Sequence, residues 1–341
     1  MQISRSPTIS ITEHRQAAVR SVVTQAGSST LHAASAPARM NTTNLLHCDI
    51  SSNTTSAPTQ KFKLSKAEGR LTEGPELKLQ SQQEVRDSTR GHFRVLSDTE
   101  TSSAKAGLTV SSRPPQGTMA KLLTDPKYKG LIDSVTGGFR DPSTGLYCEL
   151  VPLTQDTNSA ISKVTGYVLC FPGVGAANMR STQLLSSVKQ FLGVGGLPTM
   201  HSQALELAKT IGNKLAAEGK TLELTGHSMG GGVANYVGLK LNLPAVCYNA
   251  AALGRACLKD IGETHLENLK KQTHIRLEGD FATHPSVTRK LMAFFTLGKN
   301  NYVPRNIGVI NEIKTSDHYF PRDRFGLNRH ALESMHNWYA Q

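Results

Sequence analysis

Aromatic residues are scarce in this 341-residue chain, 6% in all, and unevenly placed. Only Phe62 and Phe93 precede Tyr128, and the single tryptophan is Trp338. Residues 1–115 are dominated by Ser, Thr, Gln, Ala and charged side chains, with few sustained apolar patterns. A segment of that composition buries too little apolar surface to offset the entropy of ordering it, so residues 1–115 are expected to be mostly disordered. Long hydrophobic runs are also missing. No stretch approaches the roughly 20 apolar residues that span a bilayer. The N-terminus lacks the apolar core of a secretory signal, and Gln2 stands where N-myristoylation needs glycine. The five cysteines (Cys48, Cys148, Cys170, Cys247, Cys257) have no metal-binding or redox spacing. That argues for reduced core thiols and a reducing compartment.

Basic residues are in excess, giving a net charge of +12, but they form no basic block. Residues 1–115 hold 14 basic and 9 acidic side chains, the remainder 24 and 17. Aromatics are not interleaved with the basic residues of the tail, so nucleic-acid binding is not favoured. A spread positive charge suits an anionic membrane surface better. The glycine cluster Gly193–Gly196 lacks the Lys-Ser/Thr of a phosphate loop, which argues against nucleotide binding.

Against these absences stands Leu222-Glu-Leu-Thr-Gly-His-Ser-Met-Gly-Gly231. Thr221–Thr225 alternates apolar and polar residues, as a short strand does, and Val233, Val237 and Leu241 then share a helical face. Ser228 lies at the turn between them, flanked by Gly226 and Gly230 in a G-x-S-x-G pattern. This is the arrangement of a nucleophile elbow, in which a sharp turn holds the serine hydroxyl out at the end of a sheet. A plain glycine-rich strand-to-helix turn is the alternative reading.

Periodicity predicts further strands over 144–151, 165–171, 244–249, 274–278 and 307–313. It predicts helices over 201–217, 255–271, 286–297 and 329–340. Alternating strands and helices imply an α/β class with a mostly parallel sheet covered on both faces. With the elbow, this is an α/β-hydrolase fold over residues 116–341, behind the disordered N-terminal region 1–115.

A serine nucleophile needs a base, and the base an orienting acid, in the chain order Ser, Asp/Glu, His. Asp280 follows a predicted strand and is the favoured acid; an exposed turn aspartate is the alternative. Asp260 competes from within a predicted helix. His284 is too near Asp280. Of the later histidines, His330 at the start of the last helix is favoured as base, His318 is the rival, and mid-helix His336 suits a solvated or packing role. The oxyanion donors are expected at the backbone N–H of Met229 and of Val174. Residues 176–200 form either a mobile apolar flap or a packed helix. Arg289–Leu297, with a basic start and an apolar face, suits either an anionic phospholipid surface or a buried helix.

The elbow Thr-Gly-His-Ser-Met-Gly-Gly resembles that of the class 3 lipases, the fungal triacylglycerol lipase type. The resemblance spans about residues 140–341 and includes Val168–Gly173, where that family carries its oxyanion strand, and the Gly279-Asp280 turn. It implies a serine hydrolase cleaving acyl esters of lipids, phospholipid or acylglycerol, with catalytic Ser228, Asp280 and His330 and neither metal nor cofactor. The family commonly has Phe-Arg-Gly-Thr or Phe-Arg-Gly-Ser where this chain has Phe171-Pro-Gly-Val174, so the backbone donor is kept and a hydroxyl is lost. Ile3, frequent serines and the lack of acidic residues before Glu13 resemble the N-termini of bacterial type III secreted effectors. That implies delivery into a host cell, action as a soluble or peripheral membrane protein, and a secretion chaperone acting on the N-terminal region. A non-catalytic lipid- or protein-binding module and an acyltransferase or deacylase with the same triad are the competing functions.

Overall fold

The computed structural model describes residues 61–63, 81–103, 117–155, 163–173, 196–280, 306–314 and 331–340. At its centre are two parallel strands, β4 (Lys163–Phe171) and β5 (Thr221–His227). Their residues alternate between two apolar clusters, because successive side chains of a strand point to opposite faces. Tyr167, Leu169, Phe171, Leu222 and Leu224 enter one cluster; Val168 and Cys170 enter the other. Both faces are covered, which is why β4 reads as a nearly continuous apolar run.

Seven strands form the main sheet in the order β2-β3-β4-β5-β6-β8-β9. Strands β2 (Phe139–Asp141) and β3 (Leu146–Gln155) make an antiparallel edge, with β3 antiparallel to β4. From β4 onward the sheet is parallel, through β6 (Ala245–Tyr248), β8 (Gln272–Leu277) and β9 (Val309–Ile313). A separate short ribbon pairs β1 (Lys61–Lys63) with β7 (Glu263–His265). A mostly parallel sheet with helices on both faces and a serine at a strand-to-helix turn is the α/β-hydrolase fold.

The helices sort by face. On one side lie α3 (Thr199–Ala217) and α4 (Ser228–Leu241), packed on each other and on β5. On the other lie α1 (Gln82–Ser103) and the C-terminal α7 (Glu333–Ala340). Phe93 of α1 stacks on Tyr339 at 4.2 Å, and the Tyr248 hydroxyl donates to the Thr89 carbonyl at 2.8 Å. Shorter helices are α2 (Thr118–Leu122), α5 (Arg255–Ile261) and α6 (Leu266–Lys270).

Two expectations are corrected. Residues 82–103 were expected to be disordered, yet they form a helix with Val85, Phe93, Val95 and Leu96 buried against the sheet. The sequence signal was a capping box. The Ser81 hydroxyl accepts from the Glu84 N–H at 3.3 Å, and the Glu84 carboxylate accepts from the Ser81 N–H at 2.8 Å. The expected single helix over 255–271 is broken into α5, β7 and α6. Gly262 separates α5 from β7 with φ +74°, which an α-helix cannot contain. The predicted helix 286–297 lies outside the described residues.

Candidate active site

The glycines around Ser228 are set by close backbone approach. A Cβ on Gly226 would stand 2.4 Å from the Gly230 carbonyl oxygen. A Cβ on Gly230 would stand 2.2 Å from that of Phe171, and one on Gly231 2.7 Å from the Ala250 Cβ. The first turn of α4 is thus pressed against the ends of β4, β5 and β6 at once. Ser228 itself has φ +53°, a left-handed conformation unusual for a residue with a side chain. Its carbonyl accepts from the Ala251 N–H at 2.7 Å, which ties the strained turn to the loop after β6. These are the features of a nucleophile elbow rather than of an ordinary turn.

Met229 follows within the first turn of α4, where backbone N–H groups lack intrahelical acceptors and the helix dipole favours negative charge. That is the setting expected of an oxyanion donor. Asp280 lies three residues past the end of β8, at the same edge of the sheet as Ser228, with only β6 between their strands. It is fully buried, not the exposed turn aspartate of the alternative reading. Its N–H donates to the Leu277 carbonyl, fixing the turn. Asn249 supports the same edge: it takes φ +41° at the end of β6, and its side-chain oxygen accepts from the Leu277 N–H at 3.0 Å.

Asp260 is committed elsewhere. It accepts from the Tyr236 hydroxyl at 2.6 Å and pairs with Lys240 at 3.1 Å, and these contacts hold its carboxyl below the usual range against a desolvation penalty. His336 is exposed, with its ring edge-on to Phe93 and its Nε2 3.2 Å from the Ser97 hydroxyl. Val174, His318, His330 and the stretch 289–297 lie outside the described residues. So does most of the expected flap, 176–200; of its last residues, Thr199 and Met200 begin α3, and Met200 is buried.

Beside Met229 lies a small cleft, lined by Met200, His201, Gly232, Leu253 and Cys257 among others. It is mainly apolar, and burial lowers the His201 pKa to about 4, so the ring stays neutral near pH 7. Burial pushes the thiols of Cys148, Cys170, Cys247 and Cys257 up, the last to about 12, so none is a ready nucleophile.

Sequence reasoning gave no role to His227 or to the upstream helix. His227 Nδ1 lies 2.6 Å from a carboxylate oxygen of Glu100 on α1. That oxygen also accepts from the Gly173 N–H at 3.0 Å. Deeper in the same interface, His92 Nε2 meets Glu223 at 2.9 Å. The capping box at Ser81 was the available sign that a helix here could carry functional side chains.

Residues 157–299 match a family model described as phospholipase-like, the Tle-like phospholipase domain. No curated protein matches the chain. Among solved structures, a hyperthermophilic esterase from Pyrobaculum calidifontis is 12% identical, covering 76% of this chain and 90% of its own, at a TM-score of 0.26. One of two fungal esterases from Rhizomucor miehei is 14% identical, covering 70% and 94%, at a TM-score of 0.25. At those scores the overlays add nothing to what strand order and elbow already say. The stretch 157–299, less than half of the chain, is thus similar to a phospholipase-like domain.

Proposed function

We propose that the chain is a serine hydrolase that cleaves acyl esters of lipids, with phospholipid as the favoured substrate. The observation that carries this is Ser228, held at φ +53° at the head of α4 by glycines that nothing larger can replace. Such strain persists only where the surroundings enforce it, and here it presents a hydroxyl at the sheet edge. Ser228 attacks the ester carbonyl. His330, with His318 as the alternative, takes the proton and returns it to the leaving alcohol. Asp280, buried at the same edge, orients the imidazole. The N–H groups of Met229 and Val174 receive the oxyanion. Water then releases the acyl group, and the chemistry calls for no metal or cofactor.

The phospholipase-like match supports a glycerophospholipid over a soluble ester, and the net charge of +12 supports an anionic surface. The N-terminal pattern through Ile3 and up to Glu13 supports delivery as a type III secreted effector that acts at a host membrane. It also supports a secretion chaperone acting on that region.

Fluorophosphonate labelling of the purified chain, with and without anionic phospholipid vesicles, tests the reading. Labelling should be strong, enhanced by vesicles, and absent in Ser228→Ala, which should melt like the wild type. Retained ester cleavage in Ser228→Ala would overturn the assignment. A folded wild type that takes no label would point to a lipid- or protein-binding module on the hydrolase fold. Acyl transfer to an added alcohol in preference to water would point to an acyltransferase.

A further inference from the structure

Helix α1 runs alongside the elbow strand with matched spacing. His92 meets Glu223, and Glu100, eight residues on, meets His227, four residues on. Eight helical residues rise about 12 Å and four strand residues about 13 Å. The two contacts therefore hold helix and strand in one register, and the second falls beside Ser228.

The Glu100 oxygen at that point bridges two strands. It accepts from the Gly173 N–H at the end of β4 at 3.0 Å and lies 2.6 Å from His227 Nδ1 at the end of β5. These two strand ends lead directly into Val174 and Ser228. The packing leaves no slack: a Cβ on Gly173 would stand 2.6 Å from His227 Nδ1 and 3.1 Å from the Glu100 oxygen. The His227 side chain is 9% exposed and that of Glu100 25%, so both hydrogen bonds are largely shielded from water. Gly173 is the most flexible residue of Phe171-Pro-Gly-Val174. Pro172 before it has a fixed φ and no N–H, whereas glycine rotates freely unless its amide is held.

From this geometry we propose that Glu100 is a positioning residue of the hydrolase centre. It ties the Gly173 amide, next in sequence to Val174, to His227, next in sequence to Ser228. This rests on the reading of Ser228 as nucleophile. It assigns part of the active-site support to a helix that precedes the phospholipase-like match at 157–299. It also gives the Phe-Pro-Gly-Val turn a substitute for the lost hydroxyl: a carboxylate from outside the turn holds the backbone instead.

The test is ester hydrolysis by the full-length wild type, Glu100→Ala and Glu100→Gln, each rate divided by the sites titrated to completion with fluorophosphonate. Removing an oxyanion donor outright costs about 100- to 1,000-fold in kcat, so a loosened one should cost Glu100→Ala about 10- to 100-fold with KM nearly unchanged. Glu100→Gln keeps an acceptor for the Gly173 N–H and should recover most of that loss. A purely structural role would lower the number of titrated sites but not the rate at each one. Unchanged per-site kcat in Glu100→Ala overturns the proposal while leaving Ser228 as nucleophile. If Glu100→Ala does not fold, Glu100→Met, which keeps the bulk but not the carboxylate acceptor, is read in its place, and an unchanged per-site kcat there overturns the proposal. A wild type that takes no label removes the serine-hydrolase reading and this one with it.

Discussion

Gly226 and Gly230 of the elbow face main chain rather than a side chain that could swing aside. An added Cβ on Gly230 would press on the carbonyl oxygens of both Phe171 and Pro172, at 2.2 and 2.4 Å. Relief would mean moving α4 away from β4, and so moving Ser228 away from the end of that strand. Gly230→Ala should therefore cost about 3 kcal/mol and abolish turnover together. Gly212, in the middle of α3, is the control. Its Cβ would meet only Leu222 Cδ2, at an ordinary 3.5 Å. Gly212→Ala should raise stability by up to about 1 kcal/mol, because alanine is the better helix former, and leave activity alone. Denaturant midpoints of the two variants read the contrast. Equal effects would mean that steric fit around the elbow is not what its glycines supply.

At the scale of elements, β4 was legible as a nearly continuous apolar run, and α3 because its buried positions are apolar and recur at helical spacing. Helix α1 was not. Its buried stripe holds Val85, Phe93 and Leu96 but also Thr89, His92 and Thr99, so its pattern reads as polar. Those polar groups are tolerated because each has a partner across the interface: Tyr339 for Thr89, Glu223 for His92 and Glu149 for Thr99. No pattern within the helix announces partners some 50 to 250 residues away. The elbow was legible for the opposite reason, since its chemistry is packed into five adjacent residues. The buried histidine of β8 gives this scale its prediction. His274 is 1% exposed, and its Nε2 meets the Ile307 carbonyl at 3.2 Å. Burial, joined by the charge of Arg276 and opposed by the Ile307 bond, lowers its pKa to about 4. The unfolded chain titrates near the ordinary value of about 6.5. Between those values the unfolded state binds more protons, so this residue's contribution is level above pH 6.5 and is lost as pH falls towards 4. The loss is on the order of 3 kcal/mol. Urea unfolding at pH 7 and pH 4.5 should show a steeper fall for the wild type than for His274→Gln. Parallel pH profiles would mean that His274 is protonated in the folded protein.

For the molecule as a whole, the question is which stretch folds alone. Residues 116–341 were expected to form the domain, and the family match is narrower still. Yet one face of the sheet, with Val168, Cys170, Tyr248 and Ile275, is covered by α1 together with α7. The two helices are also tied to each other. Arg86 donates to the Trp338 carbonyl at 3.1 Å, and the Thr89 hydroxyl lies 2.7 Å from that of Tyr339. A chain begun at residue 116 loses the whole helix. It uncovers large apolar side chains on a mostly parallel sheet, strips α7 of its neighbour and removes both contacts along the elbow strand. Uncovered surface of that kind drives aggregation rather than a tolerable loss of stability. A chain begun at residue 78 keeps Ser81, the capping box and all of α1. The expected result is a soluble 78–341 chain that melts within a few degrees of the full-length protein. The 116–341 chain should be insoluble, or should bind a hydrophobic dye and melt without a cooperative transition. If instead it melted like the full chain, α1 would be a passenger on the sheet, and the clamp from Glu100 to the elbow would have no energetic basis.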